Sequence, residues 1–304
     1  MAKKYLIALD DGHGMETAGK RTPPLQEDLY INGKRVRKKG EVIKENEFNR
    51  AAVKYLEEAL KRCGFDVLLV APTDSDIALQ TRVNKANNAN ADAYVSKHYN
   101  SLGSKWQTKA KGLVTIIHYN SQAKTKVLAN NVHEELWKLH KDHECTNYGV
   151  RTDTDISGFS LYVLRNTTMP AILTESGFMD NIVEAKYMLD SEFQKLDAEA
   201  TCKGICKTFG VIYVKPDEDS ICRAEDVEVS TNIKYVRVIY NGSDGLNVRN
   251  CPSWEENAIA DTVKKGEVFT VIKKVKVGDS YMYKLKSGLY ITTNSKYVES
   301  LTSI

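Results

Sequence analysis

Hydrophobic positions along this chain fall into two textures. Up to about residue 214, short apolar runs alternate with longer stretches of helical period; beyond "KPDEDS" only short β-rich runs separated by turns remain. The run from Tyr5 to Leu9 predicts a buried first strand, followed by a polar loop rich in Lys and Arg. In "EVIKENEFNRAAVKYLEEALKRCG" the residues Phe48, Val53, Tyr55, Leu56 and Leu60 recur at helical spacing, and Gly64 stands where a C-cap is expected. "FDVLLV", "DAYVSKHYN" and "GLVTIIHY" read as strands, and "DIALQTRVNKANNANA" as a helix with an Asn-rich end. "QAKTKVLANNVHEELWKLHKDH" carries an apolar stripe of Leu128, Val132, Leu136 and Leu139. "LYVLRN" and "MPAILTESG" read as two further strands, and a helix from about Phe193 to Phe209 closes the region.

Strands alternating with helices predict an α/β fold, a mixed sheet flanked by helices. The turns "NGSDG", "KKG", "VGD" and "KSG" of the last part predict a small all-β barrel. The expected division is therefore a first domain over 1–214, a linker over 215–230 and a second domain over 231–304.

With 304 residues, 42% hydrophobic and 27% charged, the composition is that of an ordinary globular chain. A net charge of +3 argues neither for nucleic acid as a partner nor for a membrane surface, and no apolar run approaches the roughly 18 residues of a spanning helix. The start, "MAKKYLIALDDGHG", has too short an apolar run for a signal peptide, so synthesis in the cytoplasm without a leader is expected. In that compartment the six cysteines, Cys63, Cys145, Cys202, Cys206, Cys222 and Cys251, are expected to be thiols. Cys202 and Cys206 lie i, i+4 on a helix but lack the partner cluster of a zinc site, so packing is the preferred reading.

Candidate chemistry sits at strand ends, since loops at one edge of an α/β sheet are where sites assemble. His13, in "LDDGHGMETAG", ends the first strand, His98 ends "DAYVSKH", Glu45 opens the first helix and Glu175 ends "MPAILTE". Two imidazoles and a carboxylate can form a three-ligand Zn²⁺ site that keeps one position for water, with Glu175 as general base. On spacing alone, a hydrogen-bonded structural histidine is the commoner reading of each, for there is no HExxH motif or cysteine cluster. Gly12 and Gly14 would let the backbone turn sharply and a bulky substrate approach His13.

Four blocks in order, "IALDDGHG", "KENEFNRAAVKYLEEALKRCGFDV", "LQTRVNKANNANADAYVSKHYNS" and "LRNTTMPAILTESGFMDN", resemble the zinc-dependent N-acetylmuramoyl-L-alanine amidases of the amidase-3 type, over about residues 4 to 210. The resemblance implies His13, Glu45 and His98 as zinc ligands, with Asn49 fixing the register, and Glu175 in "PAILTESGF" as the catalytic residue. Within "ENEFN", Glu47 is the alternative ligand. Lys97 stands where the family has an apolar residue, and strand alternation predicts that it faces away from the metal. Arg82 matches a frequent family arginine and is read as a structural salt bridge rather than a substrate contact.

His133 and His140 lie seven apart and are read as an exposed helix face; His118, His143 and the "DHEC" cluster are unconvincing ligands. "GKRVRKKG", Lys34 to Lys39, is either a solvated loop or a contact for anionic wall polymers. The end of the chain, with "LNVRNCPS" over Leu246 to Ser253, resembles bacterial SH3-type wall-binding domains. Trp254, Tyr281, Tyr283 and Tyr290 are there candidates for stacking on sugar or peptide, with core packing as the alternative.

The resemblance implies a peptidoglycan hydrolase of the endolysin type, cutting between N-acetylmuramic acid and L-alanine after release to the cell wall. Its rivals are a zinc carboxypeptidase or endopeptidase on the peptide stem, for which His13 and Glu16 supply an HxxE string, and a non-enzymatic wall-binding protein.

Overall fold

The computed structural model describes residues 4–141, 145–216, 228–254, 258–278 and 280–303. Cys222, His143 and most of the expected linker lie outside them. The chain divides into two compact units, Met1–Val214 and Lys215–Ile304.

The first unit runs β1 (Leu6–Asp10), β2 (Leu29–Ile31), β3 (Lys34–Arg37), α1 (Glu45–Arg62), β4 (Asp66–Leu69), α2 (Leu79–Asn88), β5 (Ala93–Asn100), β6 (Gly112–Ile117), α3 (Ala123–His140), β7 (Thr146–Thr152), α4 (Asp153–Ser157), α5 (Tyr162–Asn166), β8 (Ala171–Phe178), α6 (Ile182–Ala185) and α7 (Ser191–Phe209). Six strands form one sheet in the order β4-β1-β5-β8-β6-β7, parallel except where β6 meets β8.

Strand alternation sorts side chains between two cores. On one face Ile7, Leu9, Ala93, Val95 and Ile172 pack with α1, α3 and α7 through Leu56, Leu60, Leu128, Val132, Leu136 and Ile205. On the other, Ala8, Tyr94 and Leu173 pack with α2 and α5 through Val83, Ala86, Val163 and Leu164. Fully burying each such large aliphatic is worth roughly 1.5–3 kcal/mol, so both faces hold the sheet that carries the site.

Three expectations are corrected. "LYVLRN" is not a strand but the short helix α5. Val163 and Leu164 are buried next to one another, and Asn166 Nδ2 and Thr167 Oγ1 donate to the carbonyls four residues back, closing the turn at 2.9 Å. The basic "loop" is in part a hairpin, β2 with β3, in which Arg35 pairs with Asp28 at 2.9 Å and Arg37 with Glu47. His133 and His140 are buried rather than on an exposed face, because α3 packs against both the sheet and α7. His133 Nδ1 lies 3.0 Å from Thr115 Oγ1 and Nε2 lies 2.8 Å from Asn147 Oδ1; His140 meets the Phe193 ring edge-on at 5.4 Å.

The second unit contains β9 (Glu228–Val229), β10 (Tyr235–Val238), β11 (Leu246–Arg249), β12 (Ile259–Val263), β13 (Val268–Val277), β14 (Ser280–Leu285), β15 (Tyr290–Thr292) and β16 (Val298–Leu301), all paired antiparallel. Val236, Val238, Val248, Leu285, Ile291 and Val298 fill its core. Tyr283 and Tyr290 are buried as well, whereas Trp254 is 42% exposed under Arg249 and Tyr281 lies under Lys274.

Candidate active site

The end of β1 supplies Asp10, and the chain then turns through Asp11 and Gly12 to His13. Both Gly12 (φ 28°) and His13 (φ 63°) are left-handed, which strains any residue with a Cβ and holds the His13 imidazole over the sheet edge. A Cβ on Gly12 would stand 2.5 Å from the His98 ring, and one on Gly14 2.5 Å from the Asp76 backbone nitrogen. The two glycines therefore admit the neighbouring ring and loop, and Gly12 also lines the cleft beside His13.

His98 leaves β5 on the same face as Tyr94 and Ser96, and Glu175 is its register partner on β8. Glu45 begins α1 and is almost wholly buried. His98 Nδ1 is 2.9 Å from Glu45 Oε1, His13 Nε2 is 3.4 Å from Glu45 Oε2, and the two imidazoles meet edge to face with centroids 4.8 Å apart. One donor atom from each of His13, Glu45 and His98 lies within 4.8 Å of the others, a set that could hold a metal ion.

Buried His13 Nε2 has no hydrogen-bond partner, and neither has Glu175 Oε2. Burial draws His13 down to about 4, reinforced by His98, so the ring is neutral at pH 7 and offers a lone pair. Burial pushes the Glu45 carboxyl up, but its hydrogen bond to His98 and the charges of His98 and His13 outweigh this and hold it at about 2. Glu175 is pushed up to about 8, by burial first, with the Glu45 charge adding and His98 opposing. A carboxyl poised there exchanges its proton near neutral pH, as general acid–base chemistry requires.

Glu47 points elsewhere: its Oε1 accepts the Lys44 N–H at 2.9 Å, and its other oxygen pairs with Arg37. Glu16 is exposed and pairs with Lys44, away from His13, so the HxxE string is not a ligand pair. Lys97 lies on the opposite face of β5 and makes a fully buried ion pair with Asp197 of α7 at 2.6 Å, with Ser176 Oγ donating to the same carboxylate. Arg82 is buried against Asp10 at 2.5 Å and also donates to the His13 carbonyl at 2.8 Å, so its salt bridge props up the histidine turn.

Sequence reasoning used Asn49 only to fix the register, and several other supporting residues escaped it. Asn46 Nδ2 donates to the Asp11 and Gly12 carbonyls at 2.5 and 2.8 Å, and Asn49 Nδ2 to Gly12 at 3.1 Å. Asp10 accepts from Tyr94 and Ser96 as well as Arg82; burial pushes its pKa up, but the charges of Arg82 and His98, with the hydrogen bonds from Arg82 and Ser96, hold it low. Lys20 Nζ reaches to 3.9 Å from Glu45. The "ENEFN" spacing hinted at Asn46 and Asn49 as one helical turn facing the histidine loop; nothing in the sequence marked Lys20. A cleft of about 480 Å³ opens beside His13 and His98, walled by Ile77, Leu79, Leu161 and Tyr162.

The family model for N-acetylmuramoyl-L-alanine amidases, Amidase_3, matches residues 7–207. An endolysin of Bacillus phage SPP1 is 35% identical over 296 residues, covering 96% of this chain and 97% of its own. The N-acetylmuramoyl-L-alanine amidase CwlM of Bacillus licheniformis is 27% identical over 205 residues, 67% of this chain and 69% of that one. Among solved structures, the catalytic domain of the amidase CwlV from Bacillus (Paenibacillus) polymyxa aligns with a TM-score of 0.53 at 27% identity, over 68% of this chain and 99% of that one. The amidase AmiC2 of Nostoc punctiforme aligns with a TM-score of 0.55 at 27% identity, over 69% and 99%. The family match spans every strand of the six-stranded sheet and each residue at its edge described above, and the chain belongs to the N-acetylmuramoyl-L-alanine amidases, which hydrolyse the link between the peptide and the muramic acid of bacterial peptidoglycan.

Proposed function

We propose that this amidase is a zinc enzyme of the endolysin type, in which His13, Glu45 and His98 hold Zn²⁺, Glu175 moves the proton and the C-terminal unit is an SH3-type anchor on the wall. The observation that carries this reading is the convergence of two imidazoles and one ionised carboxylate around a buried His13 nitrogen that makes no hydrogen bond. A neutral, desolvated imidazole lacking a hydrogen bond is costly to bury unless a ligand uses its lone pair, and this donor set suits zinc. When bound, the ion supplies Lewis-acid polarisation and a lowered pKa for water.

The protein's own groups do the rest. Glu175 Oε2 takes a proton from the attacking water and returns it to the alanine nitrogen as the amide C–N bond breaks, leaving a lactyl carboxylate and a free L-alanine amine. Arg82, Asn46 and Asn49 hold the backbone of the His13 turn, so that the ligand set is fixed before substrate arrives. The apolar wall of Ile77, Leu79 and Leu161 limits water beside the scissile bond. The wall-anchor role is supported by the "LNVRNCPS" resemblance and by the SPP1 endolysin alignment, which runs through both units. Release to the wall at lysis follows from the endolysin reading.

Mass spectrometry of digested walls tests the reaction: free lactyl ends paired with new L-alanine amino termini are expected. Cleavage within the peptide stem would instead support a stem peptidase.

A further inference from the structure

Cys202 and Cys206 stand one turn apart on α7, which places both thiols on one face of the helix. That face meets the end of α1, where Cys63 is the C-cap residue. Cys202 Sγ lies 3.7 Å from Cys63 Sγ and 4.0 Å from Cys206 Sγ, and all three sulfurs are within 4.8 Å of one another. Three thiolates bound at about 2.3 Å to one ion have sulfur–sulfur edges of about 3.8 Å in a tetrahedron and about 4.0 Å in a trigonal plane. The folded chain already holds two of the edges at these lengths.

The cluster is also tied to the chain that follows α7. The Val214 N–H donates to Cys63 Sγ at 3.3 Å. Cys63, 7% exposed at the helix end, gives an ion a short way in from the surface.

We propose that Cys63, Cys202 and Cys206 form a second metal site, distinct from the His13, Glu45 and His98 centre, which takes a thiophilic divalent ion such as Zn²⁺ or Cd²⁺. Binding is proton exchange without oxidation or reduction. Three S–H bonds release their protons to water as three sulfur–metal bonds form, and the resulting negative charge sits beside Arg62 and the Val214 N–H. The ion ties the end of α1 to α7 and, through Val214, to the segment that leaves the first unit.

The test is a Cd²⁺ titration of the full, reduced chain, followed by the thiolate-to-metal charge-transfer absorption, which imidazole and carboxylate ligands do not give. A variant with Cys145→Ser, Cys222→Ser and Cys251→Ser keeps the cluster intact and should show the wild-type band. Cys63→Ser, Cys202→Ser and Cys206→Ser, each confirmed folded by circular dichroism, should lose a third or more of its intensity and bind at least tenfold more weakly. No band in the variant that retains only the cluster overturns the proposal. So does a wild-type band in any one of the three folded single variants.

Discussion

Glu175 and Lys97 sit on neighbouring strands with their side chains on opposite faces of the sheet, and each takes its role from that face. Glu175, beside His98, has a raised pKa and an unpartnered oxygen. Glu175→Gln should therefore keep its zinc, measured by atomic absorption, while losing on the order of 10² to 10⁴ in the rate of muropeptide cleavage. His13→Ala and His98→Ala should lose the catalytic zinc as well; a Glu175→Gln enzyme near wild-type rate would remove the glutamate from the chemistry. Lys97 is buried with Asp197, and neither has water to fall back on. Lys97→Met alone leaves a buried carboxylate uncompensated and should cost about 3–5 kcal/mol in urea unfolding, whereas adding Asp197→Leu should recover most of the loss. Period-two alternation was enough to say which way Lys97 points. Its partner lies 100 positions further along the chain, and only the packing of α7 across the sheet brings the two together.

At the scale of elements, legibility follows length and the number of covered faces. The helices α1 and α7 were readable because each repeats its period over several turns against a continuous core, and the strands β1, β5, β6 and β8 because each is a run between loop residues, buried along most of its length. α5 was not, since its five residues cannot distinguish a strand's period from a helix's. The α3 histidines misled because polarity was taken for exposure, although a buried imidazole is satisfied when Thr115 Oγ1 bonds His133 Nδ1 and Asn147 Oδ1 accepts from His133 Nε2. The short helix α6 carries a further buried acid at 5% exposure, Glu184, which accepts the Phe178 N–H at 2.8 Å and ties α6 to the end of β8. Burial raises Glu184 to about 7 from 4.5, against the pull of its backbone hydrogen bonds. The folded chain thus binds this proton more tightly than the unfolded chain. Its destabilising effect is absent below pH 4.5, grows as pH rises and is complete above about pH 7, with a total on the order of 3 kcal/mol. Glu184→Gln should remove that slope: compared with wild type, the variant should gain stability between pH 5 and 8 in urea unfolding. A constant difference across the range would show that Glu184 does not titrate with folding.

For the whole molecule, the two compact units separate at Val214, and each holds its own apolar core. Val214 belongs to the first: its carbonyl accepts from Arg62 Nε at 3.1 Å and its N–H donates to Cys63. A fragment of residues 1–214 should therefore fold and cleave soluble muropeptides at the full-length rate, while a cut at residue 210 would strip those contacts and lower its melting temperature. On intact walls the 1–214 fragment should be slower, because an anchored enzyme works at a raised local concentration over an insoluble substrate and gains nothing on a small diffusing one. Residues 228–304 should pellet with purified walls and cut nothing. Trp254 and Tyr281 are the aromatic candidates for that contact, since Tyr283 and Tyr290 are committed to packing. Trp254→Ala should therefore weaken pelleting without loss of fold, whereas Tyr283→Ala should unfold the unit. If the 228–304 fragment is folded yet stays in the supernatant with walls that the full chain lyses, the anchor reading fails, and wall affinity must then come from the cleft beside His13.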